Sequence, residues 1–426
     1  MVAFAGDALI CIFCPREPDM ADINSSEDDE EESVRTRMMK MCCQRAVECA
    51  FQLTSYVTEE LTSHIAISCG DMSIASLGGF RNEWTCLLNG PLISELSPCI
   101  DDAKSKELVV TKAVYNSLYF GMGDEVTISA VQKPSGNYLV AKIVADKQTI
   151  VDLGSRFLNL PNDAKTLAYL KCFIPRPVLY AINADALDTV SELRIVTTMF
   201  LKLDTYNPDF HMDPLTLQPF FYMAQTALAK YGGFMRQFLV DDKGCVLIAM
   251  WGVPSFTYAN NCTRAVSCAV AIHRGTKLLG HQSSVGITSG SVFCGNVGSL
   301  ARRDFVGIGS EVNLAARLMG KAKGKIFLEN NLYQYLPNSF RQTLTKSDAM
   351  KLKGVDKPVY AYVCDGDSKL DMSVSGNTKS TFIQPSVREL LIAHMDKMIV
   401  KDDNVSENEV MDGNEFLKKM DIGKVC

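Results

Sequence analysis

Two observations predict an α+β protein in which one αβ unit is used twice. The first is an internal repeat. Ile67-Ser68-Cys69-Gly70-Asp71-Met72-Ser73-Ile74-Ala75-Ser76-Leu77-Gly78 lines up with Ile287 to Gly298, and Asp7 to Phe13 lines up with Gly244 to Met250. The second is the order of periodicities in the better-defined copy, which alternates strand-like and helix-like runs. Composition agrees: 426 residues with 47% hydrophobic content suit two globular domains.

The elements of the second copy follow in order. Met199 to Asp204 reads as its opening strand. Pro214 to Lys230 reads as a helix, stopped by Tyr231-Gly232-Gly233. Phe238 to Val240 and Cys245 to Trp251 read as a hairpin. Asn261 to Leu279 spaces Ala265, Cys268, Ala269 and Ile272 along one side of a packed helix. Strands follow near Ser284 to Thr288 and Lys325 to Glu329. The order β-α-ββ-α-β predicts a mixed sheet with helices packed on it, a ferredoxin-like core.

The two repeat offsets differ by the length of Glu17 to Ser33, which holds nine acids and no base. That stretch is expected to be a solvated insertion. Met1 falls just before the first hairpin, so the first copy is expected to lack its opening strand and helix. The expected domains are 1–150, a linker at 151–190, a second domain at 191–366 and an acidic tail at 367–426. The tail has one amphipathic run, Val387 to Val400, read as a packed or frayed helix.

A net charge of -6 excludes the basic face of a nucleic-acid binder. No apolar run is long enough to span a membrane. Asp7 interrupts the apolar start and no basic region precedes it, so the start reads as a strand and not a signal peptide. Fifteen cysteines without a secretory signal point to reduced thiols and a cytoplasmic chain. Cys11 and Cys14 have C-x-x-C spacing, but no second pair accompanies them, and strand alternation accounts for both.

The richest stretch is Phe305-Val306-Gly307-Ile308-Gly309-Ser310-Glu311-Val312-Asn313-Leu314-Ala315-Ala316-Arg317. A strand enters a Gly-x-Gly turn and then a helix that carries Asn313 and Arg317 one turn apart, on one face. Arg stays charged and forks onto phosphate oxygens. An amide and a fixed cation side by side suit a nucleotide.

This wording resembles the class III nucleotidyl cyclases, and among them the soluble, bicarbonate-responsive adenylyl cyclases. Gly286 to Gly298 looks like that family's glycine-punctuated hairpin, Lys353 to Tyr360 like its closing strand, and Phe4 to Leu9 like the hairpin of its first catalytic domain. The resemblance implies two cyclase homology domains in pseudo-twofold tandem, converting ATP to cyclic AMP and pyrophosphate at their interface. It implies two ions, Mg²⁺ or Mn²⁺, which would activate the ribose 3′-oxygen and neutralise the leaving group. Asp7 matches one of the family's two metal aspartates. The other falls before this chain, and the second copy has Lys202 at that place.

Asn313 matches the residue that orients the ribose, and Arg317 the one that stabilises phosphate charge. Beside Gly307, the positions that select the base hold Gln237 and Val306. Gln237 can hydrogen-bond a purine edge; Val306 offers no polar group. Arg236 is a neighbour that strand alternation would turn to the opposite face. His64 stands where the family has a phosphate-binding lysine. The bicarbonate-sensing Lys and Arg fall at Ala3 and Ser97, which argues against that regulation. Two readings therefore stand: an adenylyl cyclase, with a further subunit completing the first domain, or a pseudocyclase that senses nucleotide or assembles partners.

Overall fold

In the computed structural model, the described residues are 2–5, 8–14, 31–55, 62–119, 126–145, 163–184, 191–207, 210–211, 213–241, 244–298, 303–352 and 358–366. In the first unit, β1 (Val2–Ala5) and β2 (Ala8–Cys11) form an antiparallel hairpin. Then come α1 (Glu31–Ser55), β3 (Ile65–Ile67), β4 (Ser73–Gly78), β5 (Trp84–Asn89) and α2 (Pro91–Asp101). The unit closes with β6 (Leu108–Val110), α3 (Lys112–Tyr119), β7 (Val126–Gln132) and β8 (Tyr138–Ala145). Two helices follow, α4 (Ala164–Cys172) and α5 (Arg176–Asn183). The stretch expected to be a linker thus carries helices, and Val178 of α5 packs against the second unit's buried residues.

The second unit runs β9 (Glu192–Leu203), α6 (Gln218–Tyr231), β10 (Phe234–Asp241), β11 (Gly244–Trp251), α7 (Asn261–Leu278) and β12 (Ser283–Gly298). It continues with β13 (Arg303–Ile308), α8 (Ser310–Ala322), β14 (Ile326–Glu329), α9 (Asn330–Gln334), α10 (Asn338–Arg341), β15 (Thr345–Lys346) and β16 (Ala361–Cys364). Its sheet has the order β10-β11-β9-β12-β14-β16-β15. The first four strands lie in the order second, third, first, fourth, with antiparallel neighbours throughout. That is the ferredoxin-like arrangement expected from the βαββαβ order.

One face of this sheet is sealed by α6 and α7. Met199, Leu201, Leu203, Leu247, Trp251, Val285 and Ile287 meet Phe220, Phe221, Leu228, Ala265, Cys268 and Ile272 in one buried cluster. The residues expected along the inner side of α7, Ala265, Cys268, Ala269 and Ile272, are all fully buried. Trp251 is buried too, and its indole N–H donates to the Tyr231 carbonyl at 3.0 Å, which satisfies the ring's one polar group.

Some boundaries differ from expectation for identifiable reasons. The helix expected from Pro214 opens as a 3₁₀ turn over Pro214–Leu217, capped by the Asp213 carboxylate, and becomes α-helical at Gln218. It ends where Gly232 takes a left-handed φ of 70°, a conformation that costs glycine nothing. The last three residues of the acidic stretch Glu17 to Ser33 already belong to α1; residues 17–30 lie outside the described residues. So do Asp7, residues 353–357 of the expected closing strand, and the tail with its run Val387 to Val400. Val359 makes only an isolated bridge to Met350, and the strand that pairs with β14 is Ala361–Cys364.

The repeat is visible as ladder register. Ile65 and Ile67 pair in parallel with Leu108 and Val110, as Val285 and Ile287 pair in parallel with Ile326 and Leu328. Yet Gly286 to Gly298 is not itself a hairpin. It is the greater part of one long strand, β12, whose hairpin partner is β13. In the first unit the matching stretch is split into β3 and β4, which belong to different sheets. The reason is the neighbour. β9 runs beside β12 from Ser283 to Cys294, whereas among the described residues β3 has only β6 in its ladder.

The β4–β5 hairpin of the first unit is seated on the second. Leu77 and Leu87 enter the second unit's main cluster. Gln218 and Gln225, two turns apart on α6, grip the hairpin's backbone. Gln218 accepts from the Gly78 N–H at 3.0 Å and donates to the Gly78 carbonyl at 2.7 Å. Gln225 accepts from the Phe80 N–H at 3.4 Å and donates to the Glu83 carbonyl at 3.0 Å. Gln218→Ala leaves a part-buried donor and acceptor unpaired, so chemical denaturation should show a loss of about 1–3 kcal/mol. An unchanged midpoint and slope would show that the contact adds nothing to stability.

Candidate functional site

Helix α8 lies flat on β12 because the strand has no side chain at Gly286, where the two backbones come closest. A Cβ built at Gly286 would collide with the Ala315 carbonyl and come within 2.5 Å of the Met319 nitrogen. The Thr288 hydroxyl donates to the Glu311 carbonyl at 2.8 Å and fixes the first turn of α8. Ala315, Leu318, Met319 and Ala322 are buried on the inner side of the helix, Leu318 and Ala322 in a cluster with Phe327, Leu352 and Ala361. The opposite side of the helix is left open. It presents Asn313, which is exposed, and Arg317, which is partly exposed. The pair predicted to share a helical face does so, on the face turned away from the sheet.

The turn into α8 packs tightly. Gly307 pairs with Cys294 across the hairpin, and a Cβ there would lie 2.5 Å from the Met250 methyl. Val312 and Phe305 join Met250, Phe234, Val292 and Ile248 in a second buried cluster. Val306, paired with Gly295, is only 6% exposed. It is a packing residue with no polar group to offer a base.

Gln237 lies partly buried on β10, opposite Ile248 of β11. Its strand is irregular just before it: Met235 pairs with Ala249, Gln237 with Ile248, and Arg236 is the extra residue of a β-bulge. A bulge breaks the alternation of faces, so the expectation that Arg236 points away does not hold. Its guanidinium pairs with the Asp304 carboxylate of β13 at 3.4 Å. Arg236 is largely buried, and desolvation lowers its pKa while Asp304 counteracts the shift. Sequence reasoning missed Asp304 as a neighbour because only the bulge brings the two strands' charges together.

Glu311 in the first turn of α8 has its pKa raised by burial, and one carboxylate oxygen is buried without a hydrogen-bond partner. Glu329, which caps α9 through the Asn331 and Leu332 N–H groups, is raised in the same way, with Glu311 adding repulsion.

Not every predicted site residue joins this constellation. His64 is exposed at the start of β3, a strand that packs on α1, α2 and β6 of the first unit. The sites predicted from each copy therefore sit on separate units. Ala3 lies on β1 and Ser97 on α2, also in the first unit. Lys202, which the sequence resemblance sets at the place of a metal aspartate, lies on β9 between Val246 and Ser284. Asp7 is outside the described residues, and among the described residues no group of three or more His, Cys, Asp or Glu could hold a metal ion. The donor set that two ions would need is thus not found among them.

Residues 258–366 match the adenylate and guanylate cyclase catalytic domain family. The chain is 32% identical over 211 residues to human adenylate cyclase type 10, covering 48% of this chain and 13% of that protein. It is 31% identical over 183 residues to the mouse protein of the same name, covering 42% of this chain and 11% of that one. The matches thus span about an eighth of these relatives' length. Among solved structures, it resembles the adenylyl cyclase CyaB from P. aeruginosa, with 23% identity, a TM-score of 0.37, 41% of this chain and 96% of that chain. It also resembles the guanylate cyclase domain of RhGC from Catenaria anguillulae in complex with GTP, with 20% identity, a TM-score of 0.36, 41% of this chain and 98% of that one. The second unit from residue 258 onward thus has the sequence character of an adenylate and guanylate cyclase catalytic domain. No described helix is long and apolar enough to cross a membrane.

Proposed function

We propose, from the premise of a class III cyclase domain, that the chain forms the nucleotide-binding part of an adenylate cyclase, converting ATP to cyclic AMP and pyrophosphate. The observation that supports this best is the mounting of α8. Its inner face is pinned on β12, and its outer face offers an amide and a permanent cation one turn apart. Asn313 would orient the ribose so that its 3′-oxygen faces the α-phosphate. Arg317 would meet the charge that develops on the phosphate oxygens as the new ester bond forms. Because the helix touches the strand backbone to backbone, the points from which both side chains spring would be fixed before substrate arrives. That spares reorganisation at the moment of reaction.

Class III cyclases use divalent cations, and bound Mg²⁺ or Mn²⁺ would supply Lewis-acid activation of the nucleophile and leaving group. Asp7 is the residue proposed to contribute. Purine choice would fall to Gln237, with the Arg236–Asp304 pair beside it and Val306 serving as an apolar wall. His64 is proposed to approach the terminal phosphate from the first unit, and a further subunit to complete that unit.

The second reading is nucleotide sensing without turnover. Lys202 and the buried, apolar Val306 favour it, since neither supports the chemistry the family carries out at those places. One experiment separates the two. The purified chain is incubated with ATP, then GTP, in Mg²⁺ and in Mn²⁺, and products are resolved by chromatography. Cyclic AMP formation is the expected result. Binding of a non-hydrolysable ATP analogue with no cyclic product in either metal would replace the enzyme reading with the sensor.

A further inference from the structure

The first unit holds two thiols that no part of the nucleotide site uses. Cys43, in the middle of α1, is 2% exposed and belongs to the unit's own core with Val47, Leu108, Val110 and Val114. Cys69, on the connection between β3 and β4, packs against that core from its partly exposed side. The two thiols hydrogen-bond to each other. The Cys69 Sγ also lies 3.9 Å from the Ser117 hydroxyl of α3. Three elements distant in sequence therefore converge on one sulfur pair. Disulfides are not expected at rest in a reducing compartment, where such pairs act as oxidation sensors.

We propose that Cys43 and Cys69 are a reversible oxidation site that closes to a disulfide on meeting a hydroperoxide. The roles of the two sulfurs differ. Hydrogen bonding from Cys43, and then from Ser117, lowers the Cys69 pKa against the opposing effects of burial and of Glu95. The Cys43 pKa is raised by that same hydrogen bond and by burial. Cys69, the more exposed and more acidic of the two, is thus the attacking sulfur, and the buried Cys43 resolves.

In the first step the Cys69 sulfur bonds to one peroxide oxygen, the O–O bond breaks and hydroxide leaves, giving a sulfenic acid. In the second, the Cys43 sulfur attacks the Cys69 sulfur, the S–O bond breaks, and the Cys43 proton leaves with that oxygen as water. Overall, two thiols and one hydrogen peroxide give one disulfide and two waters. The two electrons lost by sulfur reduce the peroxide.

The link would tie α1 to the segment between β3 and β4. That segment is already anchored by the Ser68 hydroxyl, which donates to the Leu92 carbonyl at 2.7 Å. β4 leads directly into the hairpin seated on α6 of the second unit. Oxidation would therefore stiffen the joint between the first unit's core and the hairpin that docks it.

The test uses the whole chain. Folded wild-type protein is treated with hydrogen peroxide, quenched by alkylation, digested without reductant and mapped by mass spectrometry. The expected result is a Cys43–Cys69 linked peptide pair that dithiothreitol separates. In Cys43→Ser the reaction should stop at the Cys69 sulfenic acid, captured by dimedone; in Cys69→Ser neither the link nor the adduct should form. Iodoacetamide at neutral pH should label Cys69 at least several-fold more slowly in Cys43→Ala than in the wild type. A pair joining Cys42 instead, or no linked pair from peroxide-treated wild type, would overturn the proposal. The wild-type map decides the matter even if a variant folds poorly.

Discussion

Arg317→Ala should lower cyclic-nucleotide turnover by about a hundred- to a thousand-fold, the usual loss when one preorganised charge is removed from a transition state. Folding should hardly change. The side chain is partly exposed on the outer face of α8, and the helix is held by Ala315, Leu318, Met319 and Ala322 on the inner face. Alanine also has high helix propensity. Kinetics and a denaturation curve on the same preparation check both halves. The reduction should fall on kcat with KM little altered, because the charge Arg317 meets is greatest in the transition state. Arg317→Lys should recover little, since a lysine ammonium lacks the planar fork that meets two oxygens. Unchanged turnover in Arg317→Ala would remove Arg317 from the site.

Gly286→Ala tests the mounting of that helix instead of its chemistry. The new methyl meets backbone atoms of Ala315 and Met319, which cannot swing aside as a flexible side chain would. α8 must lift from the strand. Overpacking of this kind costs about 1–3 kcal/mol, readable as a shift of the chemical denaturation midpoint. The displacement should also carry Asn313 and Arg317 with it. A shift of about 1 Å at a positioned group can cost on the order of a hundredfold in rate. Activity should therefore fall although no site residue has changed. If the variant proves as stable and as active as the wild type, α8 does not lie on β12 as described.

The residues of α8 were legible in the sequence because helical periodicity is local: four residues make one turn whatever surrounds them. The same holds for α7, whose buried side was read correctly, and for the left-handed stop at Gly232. Strand limits were less legible. Gly286 to Gly298 reads as a hairpin on its glycines, yet it continues as a strand because β9 supplies ladder partners as far as Cys294 and β13 supplies them from Phe293 onward. Glycine signals freedom of the backbone; whether that freedom makes a turn or a flat bed for a helix depends on what lies above. The Arg236–Asp304 pair was hidden for a related reason, since a single inserted residue in β10 reverses the facing that alternation predicts.

What the sequence determined by itself was the repeated αβ order, the βαββαβ core and the one-turn spacing of Asn313 and Arg317. These follow from periodicity and residue chemistry within short windows. The tertiary structure alone decided that β3 and β4 part company while β12 stays whole. It also decided that Gln218 and Gln225 hold the first unit's hairpin, and that Cys43 and Cys69 meet. Each of these depends on partners many residues away, and pairing across such distances is settled by which surfaces the packed chain brings together.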